Sequence, residues 1–204
     1  GGERPTLEYE LSYLAGFAGS QPVRVGNAAA QQFQLDVYGE VIDVMHQTRR
    51  QGVEVDYAAW QLERCLVKFV AEHWQEPDSG IWEVRGPERH FTHSKVLAWV
   101  AMDRAVQACE KFGLQGNAGE WRVVRDRIHA EVCERGFNQK RGAFVQSLDG
   151  DKLDASLLML PLVGFLPAND PRVVSTIAAI EKNLMAGGFV LRYHTDTEVD
   201  GLPE

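Results

Sequence analysis

Apolar residues recur along this chain at helical rather than strand spacing. After a polar, glycine-punctuated opening, Leu35, Tyr38, Ile42 and Met45 share one face of a pattern that runs from about Asn27 to the stop at Gly52. Asp56 is placed to cap a second helix whose buried stripe reads Leu62, Leu66, Phe69, Val70 and His73, ending near Trp74 ahead of Pro77. A third opens near Thr92 with Leu97, Val100, Ala101, Ala105 and Ala108, small side chains that permit close approach to a neighbouring helix. A fourth carries Trp121, Val124, Ile128 and Val132 before Gly136, with Arg and Glu on its outer face. Asp154 then caps a short helix of Leu157, Leu158, Met159, Leu160, Leu162 and Val163, apolar all round and so expected in the interior. Asp170 and Pro171 start a sixth through Ile177, Ile180 and Leu184 to Gly187 and Gly188. Strand is expected only as a short piece from Phe189 to Tyr193, with a briefly extended stretch between Gly142 and Leu148.

The order has a rhythm. Helices starting near Asn27, Thr92 and Asp154 are each followed by a more charged partner, so a helical hairpin recurs about every sixty residues. The chain therefore reads as all-α, three helical hairpins in an open arc. In such a stack the loops entering each inner helix lie at one end, which gathers Arg24, Trp82, Glu83, Arg85, Gln146, Arg192 and Tyr193 onto one rim.

Composition narrows the partners. A net charge of -8 with 21 scattered Lys and Arg argues against nucleic acid. No stretch is apolar enough for a membrane span and none resembles a signal peptide, so a cytoplasmic protein is expected. Cys65, Cys109 and Cys133 are odd in number and too far apart for a metal knuckle, and are expected as buried free thiols. The chain opens Gly1-Gly2-Glu3-Arg4, has its first methionine at Met45 and closes in loop chemistry, which reads as a fragment lacking both ends of its parent.

The stretch Asp78-Ser79-Gly80-Ile81-Trp82-Glu83-Val84-Arg85-Gly86 carries the chemistry. It offers a carboxyl beside an indole in a glycine-bounded loop between two helices. Sugar cleavage near neutral pH needs a protonated carboxyl, and an apolar aromatic wall favours that form. A packed indole beside a solvated acid is the plainer reading of the same pair. His90 and His93 have metal-compatible spacing but no third ligand in view, and read as cap or core residues. Lys95 either reaches the rim or lies over the third helix. Asp36 and Asp154 read as a helix-face residue and a cap, and Glu198, Asp200 and Glu204 as solvated acids.

The strings GGERPTLEYEL, GSQPVRVGNAAAQQFQLDVYGEV, DSGIWEVRGPERHFTHSKVLAWVAMDRA, LDASLLMLPLVGFLPANDPRV and LRYHTDTEVDGLP closely resemble the catalytic domain of bacterial members of glycoside hydrolase family 15, the glucoamylase, glucodextranase and trehalase group. That resemblance implies an (α/α)6 toroid, of which residues 1–204 would form about half, and an exo-acting, anomer-inverting hydrolase of an α-glucan or α,α-trehalose that needs no cofactor or metal. By motif match it makes Glu83 the general acid, Trp82 its flanking aromatic and Arg192, in the Arg-Tyr pair with Tyr193, a donor to substrate hydroxyls. Arg24 and Asn27 join the pocket by their place in the loop entering an inner helix. Fungal glucoamylases carry a second acid directly after the catalytic one; here that place is Val84, so the contacts of that acid are either absent or replaced, with Arg85 the candidate replacement. The family's general base would lie beyond this chain, so residues 1–204 alone are expected to be inactive. Two other readings use the same hairpins: a non-catalytic scaffold binding carbohydrate or protein, and an inverting phosphorylase. An open arc would also expose apolar faces suited to self-association.

Overall fold

The computed structural model describes residues 8–27, 29, 32–54, 56–83 and 86–194. Two short strands, β1 (Tyr9–Leu11) and β2 (Val23–Val25), pair antiparallel with Glu10 opposite Arg24. Four helices follow: α1 (Asp36–Arg50), α2 (Tyr57–His73), α3 (Thr92–Phe112) and α4 (Ala118–Arg135). A hairpin of β3 (Phe137–Asn138) and β4 (Ala143–Phe144) precedes a 3-10 turn at Ala155–Leu158, which runs into α5 (Met159–Leu162). α6 (Pro171–Leu184) leads into a last hairpin of β5 (Met185–Ala186) and β6 (Phe189–Val190). Among the described residues no helix is long and apolar enough to cross a membrane.

The centre is α3. Every residue from Thr92 to Val106 is buried, because α1, α2, α4 and the 3-10 turn all pack on it. The approach of α1 to α3 is made at backbone distance: a Cβ on Gly39 would stand 2.1 Å from the Leu97 carbonyl oxygen, so this crossing requires glycine. Two caps foreseen from sequence are present. Asp56 accepts from the Ala58 amide at 3.1 Å and Asp170 from the Arg172 amide at 2.9 Å, with Pro171 in the first turn of α6.

Several expectations need correction. α1 begins at Asp36, not near Asn27, because the backbone ahead of it is already engaged: Ser79 N donates to Phe33 O (2.9 Å) and Asp78 Oδ2 accepts from Leu35 N (3.1 Å). The buried stripe of α2 is Trp60, Glu63, Val67 and Val70, while Leu62 is exposed. Glu63 turns inward to meet Arg49 of α1 at 2.5 Å, and Arg49 lies between the rings of Trp60 and Phe112. The apolar helix after Asp154 is a 3-10 turn and one α turn rather than a full interior helix. Gly164, at φ 79°, ends it, so Leu157 and Leu160 point inward while Leu162 is 76% exposed. Cys65 is exposed on the outer side of α2, and Cys109 and Cys133 are half-buried; all three are free.

Candidate active site

Backbone hydrogen bonds tie the rim together. The loop after α2 is closed at its base by reciprocal bonds between Asp78 and Arg89, both 2.9 Å. It is joined to α1 through Phe33 and Leu35, and to the next loop by Leu148 N to His90 O (2.9 Å) and Thr92 N to Gln146 O (2.8 Å). Gln146 N reaches Lys152 O at 2.8 Å, and Ala155 N reaches Arg192 O at 2.8 Å. Lys95 does not extend to the rim. It is fully buried, with Nζ donating to Trp74 O (2.6 Å) and Glu76 O (2.5 Å), which secures the end of α2 just ahead of the loop. Burial pushes its pKa down to about 8, against the opposing pull of Asp78, Glu131 and Glu76.

Trp82 and Glu83 occupy the tip of this loop. A Cβ on Gly80 (φ 66°) would meet the Phe91 ring at 2.8 Å, so glycine is required where the loop turns. Glu83 holds a left-handed backbone at φ 51°, unusual for a residue with a side chain, and its amide donates to Gly80 O at 3.2 Å. Its carboxylate is exposed and accepts from Gln34 Nε2 at 3.4 Å. Of the two readings of the Trp82–Glu83 pair, the free chain shows the packed indole beside a solvated acid. Trp82 turns the other way, donating its indole N–H to Asp154 at 2.9 Å (Oδ1) and 3.1 Å (Oδ2).

Arg192 and Tyr193 meet Trp82. The Arg192 guanidinium lies 5.7 Å from the Trp82 ring centre and 5.6 Å from that of Tyr193, and the two rings are 6.5 Å apart. These three residues form one wall from segments distant in sequence. The space beneath the indole, bounded by Ser79, Phe91, His93, Gln146 and Asp154, measures only about 10 Å³, room for one water.

Other rim residues sit differently. Arg24 pairs with Glu8 (3.1 Å) and Glu10 (3.2 Å) across the β1–β2 ladder, and Asn27 Oδ1 accepts from Ala29 N at 2.9 Å. The contacts described for both belong to their own sheet and turn. Arg85 lies outside the described residues, as do Val84, Glu198, Asp200 and Glu204. Sequence reading missed Gln34 and understated Asp154, which caps the 3-10 turn as expected and also receives the Trp82 indole.

The floor of the site is polar and buried. His93 is buried, and burial pushes its pKa down to about 4; its Nδ1 is 3.9 Å from Asp36 Oδ2, beyond hydrogen-bond reach. Burial, with the Asp78 carboxylate alongside, pushes Asp36 up to about 6. A carboxyl whose folded pKa is raised gives its full stabilisation below the unfolded value of about 3.9 and loses it as pH rises through the folded value. Above pH 6 the fold carries an ionised Asp36 at a cost of about 2 to 3 kcal/mol. Asp36→Asn should thus be close to neutral at pH 4 and stabilising by about that amount at pH 7.5 in denaturant unfolding. An equal effect at the two pH values would show that Asp36 does not titrate in this window.

Comparisons with known proteins bear on the family and fold of the chain. The family model described as "Glycosyl hydrolases family 15" matches residues 2–204. A trehalase of Mycolicibacterium smegmatis is 43% identical over 99% of this chain and 30% of its own length, and one of Mycobacterium tuberculosis is 43% identical with the same coverage. A trehalase of Thermoplasma volcanium is 36% identical over 96% of this chain and 32% of its own length. The chain spans about 30% of the length of these relatives. Among solved structures, one described as "Glycosidase Wild Type" superposes with a TM-score of 0.71 at 23% identity, covering 88% of this chain and 49% of that one. A glycosidase variant in complex with glucose gives a TM-score of 0.70 at 23% identity, covering 86% of this chain and 48% of that chain.

Proposed function

The chain belongs to glycosyl hydrolases family 15, whose (α/α)6 fold it represents in about half, and from that premise we propose that it supplies the general-acid side of an inverting α-glucoside hydrolase acting on α,α-trehalose. One observation carries the reading: Glu83 stands exposed at the strained tip of a loop whose neighbouring residue, Trp82, is locked into a wall with Arg192 and Tyr193. That these relatives are named trehalases supports trehalose, rather than a longer glucan, as the proposed substrate.

In this reaction the glucosyl unit lies against Trp82, covering Glu83 and excluding water from it. Arg192 donates to vicinal hydroxyls through its planar fork. Glu83, protonated, gives its proton to the bridging oxygen as the bond from that oxygen to the anomeric carbon breaks. A water attacks the anomeric carbon from the opposite face and loses its proton to a base. In inverting hydrolysis the two carboxyls stand about 6.5 to 9.5 Å apart to leave room for that water. The base is proposed to lie outside residues 1–204, and substrate contacts from Arg24, Asn27 and Arg85 stay part of the proposal.

The test is to follow the reaction by proton NMR in the native gene product that carries this sequence. Inversion of α,α-trehalose releases one β-glucose and one α-glucose, visible before mutarotation equilibrates them. Release of α-glucose alone would mean retention and overturn the mechanism. Phosphate-dependent formation of glucose 1-phosphate would instead identify a phosphorylase. Residues 1–204 by themselves should release no glucose, and turnover by that piece would refute a base outside it.

A further inference from the structure

We infer that Asp154 is a positioning residue for the sugar-binding wall: it sets the plane of the Trp82 indole and, through the peptide that follows it, holds Arg192 over that plane. The inference rests on Trp82 and Arg192 being substrate contacts, as proposed above.

Asp154 is 2% exposed and takes three donors: the Trp82 indole N–H on both oxygens, Gln146 Nε2 on Oδ2 at 2.9 Å and the Ser156 amide on Oδ1 at 2.8 Å. Capping a 3-10 turn needs only the last of these, and Ser, Thr or Asn would serve. A buried carboxylate is costly unless its lone pairs are filled. Here they are filled by neutral donors, one of them the only polar atom of the wall's main ring. An indole whose N–H is shared between two carboxylate oxygens cannot turn about its side-chain torsions without losing that bond. An anion on the N–H also makes the ring face more negative, which favours the guanidinium lying over it. The next amide, Ala155 N, holds Arg192 O at 2.8 Å. One dipeptide thus orients both halves of the wall, and Gln146 braces the carboxylate from the adjoining loop.

The experiment is a double-mutant cycle on α,α-trehalose hydrolysis in the native gene product, with Asp154→Asn, Trp82→Phe and the pair. Asparagine keeps the cap and the volume but not the anion or the second acceptor; phenylalanine keeps a stacking ring but not the N–H. Each single change should lower kcat/KM by about tenfold, and the pair should lose no more than either alone. Wild-type kcat/KM in Asp154→Asn, as a mere cap would give, overturns the inference, and so do losses that multiply in the pair. If Asp154→Asn does not fold, Trp82→Phe decides alone: full activity without the N–H overturns it. A second readout does not depend on turnover. The indole N–H resonance of Trp82, identified by its loss in Trp82→Phe, should move upfield in Asp154→Asn, and an unmoved signal refutes the bond. An enzyme that leaves trehalose intact would sink the proposed function, while that shift would still decide the role of Asp154.

Discussion

Glu83→Gln in the native gene product is expected to lower kcat on α,α-trehalose by roughly 10²- to 10⁴-fold, the range spanned by general acid–base catalysis, with little change in KM or thermal stability. Glutamine has the same shape, and its carbonyl oxygen can still accept from Gln34 Nε2, so the loop tip should keep its conformation. Because Glu83 is exposed, the change should stay within about 0.5 kcal/mol of neutral for folding. What glutamine lacks is a transferable proton. The defect should therefore shrink on α-glucosyl fluoride, whose leaving group needs less protonation than a sugar oxygen. Loss of equal size on both substrates would point to binding rather than proton transfer, and undiminished turnover on trehalose would remove Glu83 from the mechanism.

Gly39→Ala should give the largest loss of stability from a single added carbon, about 3 kcal/mol or more. The new Cβ would lie 2.1 Å from the Leu97 carbonyl oxygen; its position is fixed by the α1 backbone and the oxygen belongs to the α3 backbone, so no side-chain rotation can relieve the contact. Separating α1 from α3 would open the packing of Ile42 against the core and pull on Leu35, whose amide is held by Asp78. Activity should fall along with stability, since the same bond anchors the loop that carries Glu83. Gly119→Ala on α4 is the control: nothing lies within 4 Å of its added Cβ, and alanine there should stabilise by about 0.5 to 1 kcal/mol. Urea midpoints of the two variants should move in opposite directions. A Gly39→Ala protein as stable as the wild type would mean that the two helices are further apart than described.

How much of this was legible from sequence depends on whether the partner is near or far along the chain. Caps such as Asp56 and Asp170 act within two residues, so their chemistry shows in the local string. The start of α1 does not, because it is set by Phe33 and Leu35 pairing with residues more than forty positions later. The inward turn of Glu63 hides for the same reason: a periodicity count treats it as polar surface until Arg49 is placed opposite. The two-residue strands β3 and β4 are too short to show any alternation. At the site, the Trp82–Glu83 pair was legible because loop, indole and acid are contiguous. Asp154 was readable only as a cap, since an aspartate ahead of a turn looks the same with or without an indole on it. Arg24 is placed near the rim by loop position alone, and its ion pairs with Glu8 and Glu10 depend on the β1–β2 pairing, which short polar strands do not announce.

Trp82 and Asp154 are 72 positions apart, and Arg192 comes later still. On a ribosome adding about 5 to 20 residues per second, roughly 4 to 14 seconds pass between the emergence of the indole and that of its acceptor. During that interval α1 to α4 can already pack around α3, while the loop bearing Glu83 waits with its tryptophan unpaired. The helices are thus available to a nascent chain before its aromatic wall, and a stall before residue 154 would leave a packed core with a wall that has not been built.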